Sequence, residues 1–170
     1  SFVLKSSNKE RREFAARLLR KIRNAQDAGA SIPAAPAPRK LSLPRIEPEC
    51  LGIQFTPAEE PTGPGAVPFG EAIQCAKRNE FDGEEAAFLE AVAAGLPPTC
   101  ESYANCEIGK LALARGQLEQ GIDYLLRCLG GEKKSANAAL GAAMHLQVIY
   151  DEAGRIEEAK AFAKVVAAAN

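Results

Sequence analysis

The amino-acid sequence predicts an all-α protein of three antiparallel helix pairs stacked as a short solenoid. A basic amphipathic helix and an extended proline-rich arm precede the stack. Three observations lead to this prediction. The sequence has no run of alternating apolar and polar residues of the kind that forms half-buried strands. Nine of its eleven prolines lie between Pro33 and Pro68. Asn79, Gly116 and Gly154 follow one another at spacings of 37 and 38 residues, which is typical of a repeated helix–turn–helix.

Charge and proline content divide the chain into three parts. Residues 1–45 contain eleven Lys and Arg against three Asp and Glu, whereas residues 46–170 contain ten against nineteen. We therefore predict a basic amphipathic helix at residues 1–29, a proline-rich arm at 30–67 and a helical-repeat domain at 68–170.

The first part has the pattern of an amphipathic helix over about residues 7–28. Ser7 and Glu10 have the spacing of a capping box, and Gly29 is a natural helix end. The narrow apolar stripe needs a partner to cover it. The remaining surface carries the basic residues Arg11, Arg12, Arg17, Arg20, Lys21 and Arg23. We expect this helix to act as a tether on an acidic protein surface or an anionic membrane. Docking on the acidic body of the same chain is the main alternative.

Residues 30–67 are predicted to be extended, because proline removes hydrogen-bond donors and restricts the residue before it. If such an arm is ordered, it lies against another surface. Its spaced apolar residues are the candidate anchors for that contact: Leu41, Leu43, Ile46, Leu51, Ile53 and Phe55. The sequence leaves open whether the surface belongs to the same chain or to another.

The last part predicts six helices separated by short breaks. Glycines, the Pro97-Pro98 pair and the candidate caps Thr99 and Ser135 mark their ends. The predicted helices cover residues 71–79, 83–94, 99–115, 118–129, 135–153 and 156–169.

The second and third helix pairs resemble tetratricopeptide repeats. The second pair has the family's pattern in Ile108-Gly109, Ala112, Gly116, Gly121, Leu125 and Cys128, and the third has it in Leu146, Tyr150, Gly154, Ala159 and Val166. The first pair departs from the pattern, with Asn79 in place of the turn glycine. The resemblance implies that the first helix of each pair lines a groove for a partner segment. The implied groove residues are Tyr103, Glu107, Lys110, Met144, His145, Val148 and Asp151.

A second resemblance, to the RNA-binding pentatricopeptide repeats, depends on Gly95–Pro98 followed by Ser102-Tyr103. The distance from Tyr103 to Gly116 does not fit that family, and an acidic body repels phosphates. Nucleic acid is therefore not the expected partner of the repeat domain.

Several kinds of catalytic or membrane-spanning protein do not fit the sequence. A single histidine, His145, excludes a site built on two imidazoles of one chain, and the five cysteines form no Cys-x-x-Cys pair. There is no phosphate-binding loop, no nucleophile elbow and no apolar stretch long enough to cross a bilayer. We expect no cofactor and no metal. Buried, reduced thiols are expected, and with them an intracellular or organellar reducing compartment.

These observations predict a non-catalytic protein–protein interaction or scaffold protein. It would be an accessory or assembly subunit of a larger complex, soluble or membrane-associated, held there by its basic helix and arm. The alternatives are an RNA-binding helical-repeat protein that uses its basic head, and a thiol enzyme, which the absence of a histidine beside any cysteine disfavours.

Overall fold

The computed structural model describes residues 42–170 and Arg20. The chain forms two compact units, Ser1–Pro44 and Arg45–Asn170. In the first unit Arg20 is helical and exposed and Leu43 is buried. The other residues predicted to form the basic helix, and Leu41 of the arm, lie outside the described residues.

Residues 42–170 form six α-helices and one 3₁₀ turn, Pro48–Cys50, and contain no strand. Consecutive helices pack as the pairs α1–α2, α3–α4 and α5–α6, and α2 contacts α3, α4 contacts α5, and α3 contacts α5. The predicted all-α class is confirmed for this part of the chain. The helices are α1 Ala66–Lys77, α2 Phe81–Ala94, α3 Pro98–Ala114, α4 Leu118–Gly130, α5 Ala136–Glu152 and α6 Ile156–Ala169.

The same backbone turn joins the two helices of every pair. Asn79, Gly116 and Gly154 all have positive φ, at 58°, 79° and 75°. This is the left-handed conformation that glycine adopts freely and that asparagine tolerates better than most other residues. In each turn the following N–H bonds a carbonyl five residues back at 2.9 Å: Glu80 to Cys75, Gln117 to Ala112 and Arg155 to Tyr150. The spacing in the sequence therefore located all three turns.

The prediction was wrong about the start of the first helix. We expected no regular structure before Pro68 and a helix from residue 71, but α1 begins at Ala66. Pro68 is the third residue of α1. In the first turn of a helix the N–H groups have no intrahelical acceptor, so a proline there removes no hydrogen bond of the helix. The 3₁₀ turn at Pro48–Cys50 likewise begins with a proline.

Close contact between α3 and α4 depends on two glycines. A Cβ on Gly121 would lie 2.5 Å from Leu113 Cδ2, and a Cβ on Gly109 would lie 2.8 Å from Leu125 Cγ. Neither position has space for a side chain. Arg115, just after α3, forms ion pairs with Asp82 and Glu85 of α2 and so links the first pair to the second.

We expect Gly121→Ala to destabilise the protein by about 1–3 kcal/mol, because overpacking of the α3–α4 crossing outweighs the gain in helix propensity. Gly70→Ala is the matched control. It lies in α1, and a Cβ at this position would have no neighbouring atom within 4 Å, so the substitution should stabilise by about 0.5–1 kcal/mol. Urea unfolding of both variants measures the difference, and equal effects would contradict this account of the crossing.

Candidate protein-interaction surfaces

One face of α3 presents Tyr103, Glu107 and Lys110, all partly exposed. They are separated by four and three residues, which places them on one side of a helix. The Lys110 ammonium donates to Glu107 Oε1 at 2.5 Å. Because the two side chains keep 32% and 18% of their surface exposed, this ion pair lies at the boundary between solvent and core.

Tyr103 belongs to an aromatic cluster that joins the first helix pair to the second. Its ring centroid lies 5.9 Å from that of Phe69 in α1 and 6.1 Å from that of Phe88 in α2. Burial, and then the negative charge of Glu107, raise the pKa of the Tyr103 phenol to about 12. The phenol is therefore neutral at physiological pH and can donate a hydrogen bond.

A second carboxylate, Glu84, is buried in α2 close to this face of α3. Burial raises the pKa of Glu84, the nearby Glu107 carboxylate raises it further, and Lys110 opposes the shift. The Lys110 ammonium therefore acts on both carboxylates, bonding Glu107 directly and opposing the shift at Glu84.

The corresponding face of α5 presents Met144, His145 and Val148, which are partly exposed, and Asp151, which is exposed. His145 Nδ1 lies 2.7 Å from the carbonyl oxygen of Gly141, so its own helix orients the ring. Helices α3 and α5 pack closely, since a Cβ on Gly141 would lie 3.2 Å from Cys106 Sγ.

We name the two faces together the α3–α5 surface. It comprises Tyr103, Glu107, Lys110, Met144, His145, Val148 and Asp151.

The cysteines are free thiols, but they do not share one environment. Three of them are buried: Cys100, Cys106 and Cys128. Cys50 in the 3₁₀ turn is exposed, and Cys75 is partly exposed. The expectation that all five are buried is therefore wrong, because Cys50 lies in the arm.

Ser102 Oγ donates to the Cys128 carbonyl at 3.0 Å and lies 3.4 Å from its sulfur. A hydrogen bond with Cys128, together with burial, raises the pKa of Cys106, so this thiol stays protonated.

Residues 45–62 of the arm lie on the helices of their own unit, which answers for this segment the question that the sequence left open. Two of the contacts come from main-chain N–H groups of the arm. Ile46 donates to Glu158 Oε2 at 2.8 Å, near the start of α6. Thr56 donates to the carbonyl of Lys134 at 2.9 Å, in the loop between α4 and α5. The arm thus crosses from the third helix pair towards the second.

Glu59 of the arm caps the N-terminus of α3. Its Oε2 accepts hydrogen bonds from the N–H and the hydroxyl of Thr99, both at 3.1 Å, and its own N–H donates to Thr99 Oγ at 2.8 Å. These bonds from Thr99 lower the pKa of Glu59. The prediction that Thr99 itself caps α3 is wrong: the N-cap is Pro97, which has no side-chain acceptor. The distant carboxylate takes over that role.

The apolar residues predicted to anchor the arm differ in exposure. Ile46, Leu51 and Phe55 are partly buried, whereas Ile53 is 57% exposed and does not have the burial expected of an anchor. Sequence analysis missed Glu59, and it assigned Thr99 a capping role instead of its hydrogen bonds to Glu59. The only local signal was the proline at the N-cap of α3, which leaves helix N–H groups without a local acceptor.

Comparison with protein-family models, curated proteins and solved structures finds no match for this chain. In the described part of the chain, no helix is long and apolar enough to cross a membrane, and no three potential ligands cluster around a metal position.

We expect Glu84→Gln to raise the melting temperature at pH 7 and to change it little at pH 4. The pKa of Glu84 is higher in the folded than in the unfolded chain, so the folded state binds more protons in the window between the two values. Stability is therefore lost as the pH rises from 4.5 through the folded value, and the neutral amide avoids that loss. Melting curves from pH 4 to 8 measure the effect. Glu90→Gln, an exposed site on the same helix, is the control, and parallel profiles for the two variants would contradict the prediction.

We expect Glu59→Ala to lower the urea midpoint and to accelerate hydrogen exchange of the Thr99 amide, whereas Glu60→Ala, at an exposed neighbour, should do neither. Because the pKa of Glu59 is lowered by folding, its contribution is present above pH 4.5 and is lost as the pH falls through the folded value. Unchanged exchange at Thr99 in Glu59→Ala would contradict the capping role.

Proposed function

We propose that this protein is a non-catalytic interaction subunit whose α3–α5 surface binds a segment of a partner protein. The observation that supports the proposal best is the row of half-exposed side chains that α3 and α5 hold side by side. Such a row, on helices fixed from behind by close packing, offers a preformed surface to a peptide. The tetratricopeptide-like pattern of the second and third pairs favours the same function.

The chemistry of the surface indicates what it binds. The surface carries two carboxylates, Glu107 and Asp151, against one ammonium, that of Lys110. The partly exposed apolar residues Met144 and Val148 lie on the same side of α5 as Asp151. A partner segment that alternates apolar with Lys or Arg side chains complements both features. Charge complementarity would fix its register and speed its association more than it would add affinity.

The remainder of the chain would supply the attachment to a larger assembly. The six basic residues of the predicted N-terminal helix suit an acidic subunit or an anionic membrane surface. We accordingly propose an accessory or assembly subunit of a multi-subunit complex in a reducing compartment. RNA binding by the repeat domain is the less favoured proposal, because residues 45–170 carry eleven basic against nineteen acidic residues.

We expect Asp151→Lys in the full chain to reduce partner recovery roughly fivefold, because one exposed charge pair contributes on the order of 1 kcal/mol. The tagged chain would be crosslinked in native extract and its neighbours quantified after size separation. Glu90→Lys makes the same change of charge on α2, outside the α3–α5 surface, and should leave recovery unchanged.

Two results would count against the proposal. One is that the parent chain migrates alone, without crosslinked neighbours. The other is that Asp151→Lys and Glu90→Lys recover the same proteins in the same amounts as the parent.

A further inference from the structure

Glu84 in α2 is a buried carboxylate without a bonded cation in the part of the chain that the structure describes. Only 5% of its surface is exposed. No cation of the described residues lies within 4.0 Å of its carboxylate, and its side chain forms no hydrogen bond with them. Its neighbour Glu85 is also buried, but Glu85 pairs with Arg115. A buried carboxylate without such a partner costs free energy, so Glu84 destabilises the free protein.

The register of α2 against α3 places Glu84 beside the α3–α5 surface. The two helices are antiparallel, since the start of α2 pairs with Arg115 after the end of α3. In the middle of this contact, the ring centroid of Phe88 lies 6.1 Å from that of Tyr103. Glu84 lies one helical turn before Phe88, and Glu107 lies one turn after Tyr103. In antiparallel helices these two positions face each other, so the two carboxylates are neighbours across the contact.

The carboxylate of Glu84 is not sealed from solvent. Asn105 Oδ1 shows the sealed case, a side-chain oxygen that is fully enclosed and has no hydrogen bond, and the oxygens of Glu84 are not enclosed in this way. They therefore reach solvent through the small exposed part of the side chain. On α3, the Lys110 ammonium is already bonded to Glu107 Oε1 at 2.5 Å. A cation that arrives from outside would thus find Glu84 still without one.

We propose that Glu84 receives a cationic side chain of the partner segment, the ammonium of a lysine or the guanidinium of an arginine. This inference rests on the function proposed for the α3–α5 surface and specifies one contact beside it. A charge-assisted hydrogen bond compensates the burial of the carboxylate. The neighbouring rings of Phe88 and Tyr103 offer apolar surface to the alkyl stem of the incoming side chain. Glu84 then determines which position of the partner segment must be basic.

Cation binding at Glu84 is coupled to the release of a proton. Burial, and then the charge of Glu107, raise the pKa of Glu84, and Lys110 opposes the shift. Of the two helices packed against α2, α3 supplies these groups and the neutral phenol of Tyr103, and no charged group of α1 contributes. Between pH 4.5 and the folded value, the free protein therefore holds a proton on Glu84 that a bound cation displaces. Binding strengthens as the pH rises through this window.

Synthetic peptides test this contact on the full chain. A hexapeptide that alternates leucine with lysine, blocked at both ends, would be titrated by calorimetry at pH 7, as would versions with arginine or glutamine in place of lysine. We expect Glu84→Gln, which removes a destabilising charge and should fold, to weaken binding of the preferred basic peptide about tenfold, as for loss of one charge-assisted hydrogen bond. The glutamine peptide should not distinguish this variant from the parent. Glu90→Gln, at an exposed site of α2, is the control and should leave all affinities unchanged.

Proton release separates this role from a merely structural one. Titrations from pH 5 to 7, in buffers with different heats of ionisation, count the protons released on binding. The parent should release up to one proton more than Glu84→Gln, and its affinity should rise with pH relative to that variant. Equal affinities and equal proton release in the two proteins would overturn the contact at Glu84 and leave the proposed function intact. Failure of both basic peptides to bind the parent would contradict this contact together with the basic partner segment proposed above.

Discussion

The close crossing of α3 and α4 determines what the rest of the described structure can do. Gly109 and Gly121 allow the two backbones to approach so far that a Cβ on either would collide with a leucine of the other helix. One side of α3 is therefore used entirely for packing. The residues that point elsewhere, Tyr103, Glu107 and Lys110, remain partly exposed because α4 occupies the opposite side. A helix that is closely packed on one side presents its other side in a fixed geometry, and this would reduce the entropy lost in the binding proposed above.

The two ends of the helices have different electrostatic character. Helices α3 and α5 both begin at the edge where the arm crosses, and the N-terminus of a helix carries partial positive charge. At α3 that charge is met by Glu59, a carboxylate 40 residues away in the sequence. The main-chain N–H groups of Ile46 and Thr56 make further polar contacts, and the Glu59 carbonyl accepts from the Cys100 thiol. The arm is therefore held by polar bonds and not by its apolar residues alone. This explains how a segment rich in proline and poor in large apolar residues can be ordered on the helices.

Local patterns predicted the helix pairs, whereas contacts between distant residues could not be predicted. Asn79, Gly116 and Gly154 were identifiable because few residue types tolerate a positive φ, so the turns leave a trace in the sequence. Ser135 was correctly predicted as a cap, since its acceptor role needs only the next three residues. The role of Glu59 depends on where the arm lies on the folded helices, and nothing near this residue in the sequence signals it. The residues of the α3–α5 surface were named from the sequence. The buried carboxylate of Glu84, which belongs to the first helix pair and lies close to α3, was not.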